Sequence, residues 1–356
     1  MQQTQDLHVV ASEPLLTPAE LKTAMPMSEA AVQTVVQTRN AIKKILLRKD
    51  PRMLLVVGPC SIHNKDLALD YAKRLQALSE EVGDKFLIIM RVYFEKPRTT
   101  VGWKGLINDP HLDGQTDIAH GLRLAREILN EIAHLGMGAA TEFLDPFVPQ
   151  YIADQVSWAA IGARTTESQT HREMSSGLSM PVGFKNNTDG NLHVAVNAMK
   201  SCKAMHSFLG ITQEGQAAII KTTGNKWSHV ILRGGKGQPN YDPVSVREAI
   251  ATLESAGVSP MVMIDCSHEN SNKKPELQPV VLESVIEQRI DGTEGIIGAM
   301  IESNIEAGNQ KVGDDPASLQ YGVSITDPCI DWPTTERIIR DAHKKLGETL
   351  TAKASA

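Results

Sequence analysis

The chain of 356 residues is short of cysteine, of long apolar runs and of positive charge. Its four cysteines, Cys60, Cys202, Cys266 and Cys329, include no C-x-x-C pair, so no disulfide framework is spelled out. No stretch reaches the roughly 18 consecutive apolar residues that mark a membrane span. The opening Met1-Gln2-Gln3-Thr4-Gln5-Asp6 has neither the basic nor the apolar block of a secretory signal. These absences lead us to expect a cytoplasmic protein with reduced thiols and no membrane partner. With 36 Lys+Arg against 42 Asp+Glu, the formal charge is −6. That argues against a general nucleic-acid binder while leaving room for a local basic pocket.

What is present is globular. Charged residues make up 22% and apolar residues 41%, a balance that supports a sizeable core without disulfide staples. The length fits two ordinary domains or one α/β barrel with additions. Residues 1–17 are polar and patternless, whereas 28–47 read as a helix. Ser28 can cap it, and Val32, Val35, Ile42, Ile45 and Leu46 form its stripe. From Met53 onward, short apolar runs alternate with amphipathic segments. The runs are 54–57, 86–93, 139–144, 158–163, 182–185, 229–233, 261–266 and 296–301. Between them Tyr71, Leu75, Leu78 and Val82, and again Leu122, Ala125, Leu129 and Ile132, keep helical spacing. Eight strand–helix units predict a (β/α)8 barrel of the TIM type over residues 51–350, with an N-terminal extension over 1–50. A doubly wound open sheet is the alternative, because local pattern does not report closure. Residues 206–223 break the alternation. Two extended pieces around Gln213-Glu214-Gly215-Gln216 predict a β-hairpin inserted between the fifth and sixth strands.

In such a barrel, chemistry collects at the C-terminal ends of strands. Reading there gives Cys60, Arg91, Glu142, Arg164, Lys185, Arg233, Asp265 with His268, and Glu302. One set is cationic: Arg91, Lys96, Arg98, Arg164, Lys185, Arg233 and Lys236. Each alone reads equally well as a surface residue in a salt bridge. Gathered at one mouth, they call for phosphorylated or carboxylated substrates. In Lys96-Pro97-Arg98-Thr99-Thr100, proline fixes the backbone between two cations and the hydroxyls can add phosphate donors. Gly234-Gly235-Lys236-Gly237 could cradle a phosphate with backbone N–H groups, although it lacks Walker-A spacing.

The second set is Cys60, His268, Glu302 and Asp327, a thiolate, an imidazole and two carboxylates suited to a divalent transition metal. No spacing motif joins them. Cys266, on the face of His268 by strand alternation, and His63, near Cys60, are rivals. A buried apolar role is the ordinary fate of a free cysteine such as Cys60.

Taken together the motifs identify a family. Gly58-Pro59-Cys60-Ser61-Ile62-His63, Met90-Arg91-Val92-Tyr93-Phe94-Glu95-Lys96-Pro97-Arg98-Thr99, Gly102-Trp103-Lys104-Gly105-Leu106 and Gly162-Ala163-Arg164-Thr165-Thr166-Glu167-Ser168 resemble the type I 3-deoxy-D-arabino-heptulosonate 7-phosphate (DAHP) synthases. So do Pro181-Val182-Gly183-Phe184-Lys185-Asn186, Leu232-Arg233-Gly234-Gly235, Asp265-Cys266-Ser267-His268 and Ser324-Ile325-Thr326-Asp327. The resemblance runs from about residue 15 to 345 and is to feedback-regulated microbial members.

The resemblance implies condensation of phosphoenolpyruvate with D-erythrose 4-phosphate and water, the first step of the shikimate pathway. It implies Cys60, His268, Glu302 and Asp327 as ligands of one divalent metal ion (manganese, iron, cobalt or zinc), and leaves out Cys266 and His63. Arg91, Lys96, Arg164, Lys185 and Arg233 match the phosphoenolpyruvate site, and Arg98 and Thr99 the sugar-phosphate site. Lys96, His268 and metal-bound water are candidates for activating the attacking water, with Cys60 counted among the catalytic residues as a ligand. Asp6, Pro149, Gln150, Ser179 and Phe208 match an allosteric pocket for an aromatic amino acid. Met180 before Pro181 favours tyrosine over phenylalanine. A homodimer or homotetramer is implied as well. Asn187 departs from the family's Lys-Asn-Gly turn, and asparagine tolerates the left-handed backbone that glycine would take. A related synthase acting on arabinose 5-phosphate, or a non-catalytic sensor of aromatic amino acids or phosphometabolites, are the competing readings.

Overall fold

A computed structural model describes residues 4–313 and 315–354, with side chains through residue 348. Eight parallel strands close into a barrel: β1 (Met53–Gly58), β2 (Phe86–Arg91), β3 (Ala139–Glu142), β4 (Trp158–Ile161), β5 (Val182–Lys185), β8 (Ser228–Leu232), β9 (Val262–Asp265) and β10 (Ile296–Glu302). Neighbours run β1-β10-β9-β8-β5-β4-β3-β2, and β2 pairs back onto β1. The open-sheet alternative is therefore excluded. Between β5 and β8 stands the antiparallel hairpin β6 (Ser207–Ile211) and β7 (Ala217–Lys221), where the sequence places it.

The helices are α1 (Pro18–Ala24), α2 (Glu29–Leu46), α3 (Lys65–Glu81), α4 (Ile118–His134), α5 (Val148–Ile152), α6 (Gln169–Gly177), α7 (Leu192–Lys203), α8 (Pro243–Ser255), α9 (Gln278–Ile290) and α10 (Trp332–Ala354). Helix α1, of seven residues, lies between the patternless residues 1–17 and the helix expected over 28–47. Thr17 and Glu20 close a capping box around its first turn, with Pro18 at its start. Among the described residues no helix is long and apolar enough to cross a membrane.

Both faces of every barrel strand are covered, so the strands read as apolar runs. Leu55, Val57, Ile88, Met90, Val182 and Ile264 point outward and pack with the surrounding helices. Leu54, Val56, Ile89, Ala140, Trp158, Ala160, Ile231, Met263 and Met300 fill the interior. Ile42, Ile45 and Leu46 of α2 join that inner cluster, so this helix stoppers the N-terminal end of the barrel. One step further up, the same alternation brings Gly58, Arg91, Glu142, Gly162, Lys185, Arg233, Asp265 and Glu302 to the inner face. The interior therefore changes from apolar to charged along the barrel axis. The sequence runs 86–93, 139–144 and 158–163 are longer than the strands they contain. Val92, Tyr93 and Phe143 stay buried beneath the mouth after the ladder has ended.

Candidate active site

The charged upper layer lines a cavity of about 120 Å³. Arg91, Lys96, Arg98, Arg164, Lys185 and Arg233 face it, together with Glu142, His268 and Asp327. A roomier groove of about 430 Å³ lies between α9 and α10 on the outer wall, lined by Glu283, Arg337, Asp341 and Lys344 among others. It holds none of the strand-end residues, and the smaller cavity carries the chemistry.

Two ion pairs organise the floor. Arg91 pairs with Glu302 at 2.9 Å and donates to the carbonyls of Pro59 and Cys60 at 3.1 and 3.2 Å. Its guanidinium lies 3.6 Å from the centroid of the buried Tyr93 ring. Burial alone would weaken the Arg91 cation, but Tyr93 and Glu302 push its pKa up. Asp265 accepts from Lys185 at 2.8 Å and lies 2.9 Å from Nδ1 of His268. Burial raises the Asp265 pKa, yet His268 and Lys185 together hold it well below the usual carboxylate range. The Glu302 carboxyl behaves likewise: burial opposes ionisation, and Arg91 and His268 override it. Ser267 steadies the other Glu302 oxygen with a 2.8 Å hydrogen bond. Ser267 stands inside the Asp265–His268 motif, where a serine carries no signal of its own in the sequence.

Arg98, Arg164 and Arg233 differ from that pair. None makes an ion pair within 4 Å among the described residues, and the Arg233 guanidinium donates to the Gly234 carbonyl at 3.4 Å. Glycine makes room for two of the charged side chains. A Cβ on Gly102 (φ +152°) would sit 2.8 Å from the Arg98 guanidinium, and one on Gly162 would sit 2.2 Å from a Glu142 oxygen.

The Sγ of Cys60 and carboxylate oxygens of Glu302 and Asp327 lie within 4.8 Å of one another. Lys96 Nζ stands 3.0 Å from the Cys60 sulfur and 3.2 Å from its carbonyl oxygen, and the thiol reaches Asp327 at 3.6 Å. Burial and the Glu302 charge raise the Cys60 pKa, while Lys96 pulls it back. A soft sulfur beside two hard oxygens is a donor set that fits a divalent transition metal. His268 lines the same cavity but stands outside that mutual cluster, held on Asp265 with its backbone at φ +57°.

Several sequence expectations change here. Cys266 is buried in the layer between barrel and helices, on the outward side with Ile264, and the 3-10 turn His268–Ser271 after β9 takes His268 off that face to the mouth. His63 is largely buried and outside the cavity lining; burial lowers its pKa to about 4. The amides of Gly234, Gly235 and Lys236 bond to Asn240, Gln238 and Thr188, so they offer no phosphate cradle. Lys236 is exposed and pairs with Asp189 at 3.5 Å, away from the mouth. Thr99 is exposed beside Arg98 and outside the cavity lining. Asn187 is not left-handed; its side-chain oxygen holds the turn by accepting from the amides of Asp189 and Asn191.

Of the residues expected in an allosteric pocket, Pro149 and Gln150 share α5, and Phe208 lies on the hairpin whose tip reaches Gln150. Gln150 on α5 accepts from Gln213 at the hairpin tip at 2.8 Å. Gln213 also accepts from Lys22 at 2.7 Å and, through its carbonyl, from the Ala19 amide at 2.8 Å. Gln213 thus joins α1, α5 and the hairpin, a role its polar turn context concealed. Pro149 is buried in α5, Phe208 sits half-buried on β6, and Ser179 is exposed after α6. Asp6 occupies an exposed turn (φ +59°), where its carboxylate accepts from Gln5 and its carbonyl from the Val9 amide. Met180 is fully buried, its carbonyl accepting from Asn225 at 2.9 Å.

Residues 26–340 match the model of the DAHP synthetase I family. The chain belongs to that family. The Tyr-sensitive phospho-2-dehydro-3-deoxyheptonate aldolase of Escherichia coli K12 is 53% identical over 350 residues, covering 98% of both chains. The Phe-sensitive enzyme of the same organism is 52% identical over 338 residues, covering 95% of this chain and 96% of its own. The solved phospho-2-dehydro-3-deoxyheptonate aldolase of Francisella tularensis SCHU S4 superposes with a TM-score of 0.92 at 46% identity, covering 95% of this chain and 98% of that one.

Proposed function

We propose that this DAHP synthetase I family chain condenses phosphoenolpyruvate with D-erythrose 4-phosphate and water to DAHP and inorganic phosphate, under feedback by an aromatic amino acid. The observation that carries this reading is the set of three guanidiniums without ion pairs, Arg98, Arg164 and Arg233, facing one small cavity that is also lined by Asp327 of the Cys60–Glu302–Asp327 cluster. Like charges facing one another across a shared site repel until polyanions fill it.

Arg91, Lys96, Arg164, Lys185 and Arg233 hold the phosphate and carboxylate of phosphoenolpyruvate, and Arg98 with Thr99 takes the sugar phosphate. The two substrates then meet as near-attack partners, and carbon 3 of phosphoenolpyruvate attacks the aldehyde carbon. Cys60, His268, Glu302 and Asp327 would hold the divalent metal, which when bound polarises the aldehyde. Water adds at carbon 2, and C–O cleavage releases phosphate. Lys96, beside Cys60, and His268, beside Asp265, are the protein's candidates to move protons at the new alkoxide and the attacking water.

The segment 1–50 and the hairpin 206–223 form the regulatory part of this reading. Gln213 ties them to α5, the Tyr- and Phe-sensitive relatives support an aromatic amino acid as the effector, and Met180 before Pro181 favours tyrosine. Exposed Leu7, Val9, Val10, Leu209 and Ile219 on the same two segments favour burial against a second copy in a homo-oligomer.

An assay of phosphate release after metal reconstitution tests the whole reading. Erythrose 4-phosphate supports turnover and arabinose 5-phosphate does not, and tyrosine inhibits more strongly than phenylalanine. Release with arabinose 5-phosphate alone, or with neither sugar under any divalent metal, would overturn the reaction. Inhibition by tryptophan alone would overturn the effector.

A further inference from the structure

A second cavity, of about 180 Å³, opens at the opposite pole of the barrel, where β1 and β10 begin and α9 ends. Its floor is apolar, with Ile45 and Ile297, and its wall carries Arg48, Arg52 and Arg289 against Asp50 and Glu294. Both carboxylates are already engaged. Asp50 takes the fork of Arg52, with bonds of 3.0 Å from Nε and 2.7 Å from Nη2. Glu294 meets Arg48 at 3.4 Å, and Arg48 is held at φ +55° just past α2. Arg289, half-buried in the last turn of α9, makes no ion pair within 4 Å among the described residues. Burial lowers its pKa; Glu294 partly offsets this and Arg48 adds to it. A half-buried guanidinium with an open fork, flanked by two more arginines, is a receptor for planar or tetrahedral oxygen anions.

We propose that this pole of the barrel binds a compact oxyanion, a carboxylate or a phosphate, through Arg289, with Arg48 and Arg52 beside it. The α9 C-terminus explains a cation at this position, but not why the surrounding carboxylates pair elsewhere and leave a cavity in front of it. The site is separate from the mouth and owes nothing to the reaction proposed there.

Isothermal titration of the metal-loaded full chain with sodium phosphate and, separately, sodium acetate at constant ionic strength tests it. The wild type shows a saturable component with at least one probe. Arg289→Gln weakens that component at least about tenfold, the size expected when a charge-assisted fork is lost, and turnover stays at the wild-type value. Arg289→Lys gives intermediate affinity. Arg233→Gln, altered at the mouth, keeps the component. Saturation by phosphate alone assigns a tetrahedral ligand, and saturation by both assigns oxyanions generally. The proposal fails if Arg289→Gln binds both probes as the wild type does, if neither probe saturates, or if only Arg233→Gln removes the component. Should Arg289→Gln fail to fold, Arg48→Gln gives the same readout: weakened binding supports the site and unchanged binding overturns it.

Discussion

At the scale of single residues, the candidate site was legible wherever a strand ends. Arg91, Glu142, Lys185, Arg233, Asp265 and Glu302 are charges at the tips of apolar runs, and alternation turns them all into the barrel mouth. Cys60 and Asp327 were not legible from spacing. They reach Glu302 from loops after the first and last strands, and only ring closure brings those loops together. If Cys60 is a ligand, Cys60→Ala loses bound metal by more than the ~10–100-fold that an outer-shell partner costs, and turnover falls with it. Metal content after dialysis, measured beside phosphate release, checks this; full metal occupancy in the variant would sink the assignment. A second residue-scale prediction concerns His229. It is fully buried inside the barrel, accepts from the Trp158 indole at 3.0 Å, and burial lowers its pKa to about 4. The unfolded chain, with an ordinary histidine near 6.5, binds the extra proton between those values. Stability therefore falls as pH drops from 6.5 toward 4, by about 1.4 kcal/mol per pH unit for this group. His229→Gln keeps an acceptor for Trp158 and flattens that slope. Urea midpoints at several pH values across the window measure it, and parallel slopes in variant and wild type would contradict it.

At the scale of elements, helix stripes and strand runs were readable because both depend on nearest neighbours in sequence. The helix expected over 28–47 is α2, with Ser28 accepting from the Ala31 amide. That its Ile42, Ile45 and Leu46 plug the barrel was not readable, because the stripe records burial and not the surface it meets. Helix α1 shows the opposite failing. The Thr17-Pro18-Ala19-Glu20 cap stood in the sequence, but a seven-residue helix has too few turns for periodicity to register. What α1 does becomes clear only through Gln213, which no pattern marks. Its side chain bonds to Lys22 on α1 and Gln150 on α5, so the hairpin tip is clasped between the extension and the loop after β3. If that clasp transmits effector binding, Gln213→Ala raises the inhibitory tyrosine concentration about tenfold, within the usual 1–3 kcal/mol of allosteric coupling. Uninhibited kcat stays unchanged, because Gln213 is not among the residues lining the mouth. Identical inhibition curves for the variant and the wild type would remove the clasp from the regulatory path.

At the scale of the whole molecule, the formal charge of −6 and the cationic mouth make opposite claims about how anionic substrates approach. If the average charge governed approach, phosphoenolpyruvate would be repelled, and added salt would speed its capture by screening. If the mouth governs, salt slows capture. The geometry decides between them. Six cations and two carboxylates, Glu142 and Asp327, line one cavity of about 120 Å³, while paired acids such as Glu81 with Arg340 lie far out on the helical wall. Field falls off over a Debye length of about 10 Å at 0.1 M salt and about 3 Å at 1 M, so a ligand nearing the mouth feels the local charge first. We therefore expect kcat/KM for phosphoenolpyruvate to fall steeply between low and high ionic strength. The value of kcat should move much less, since salt screens the approach of a charged ligand through solvent and not a step that follows binding. Steady-state kinetics in a chloride series, with viscosity held constant, separate the two. A rise in kcat/KM with salt would show that the exterior, not the mouth, sets the field.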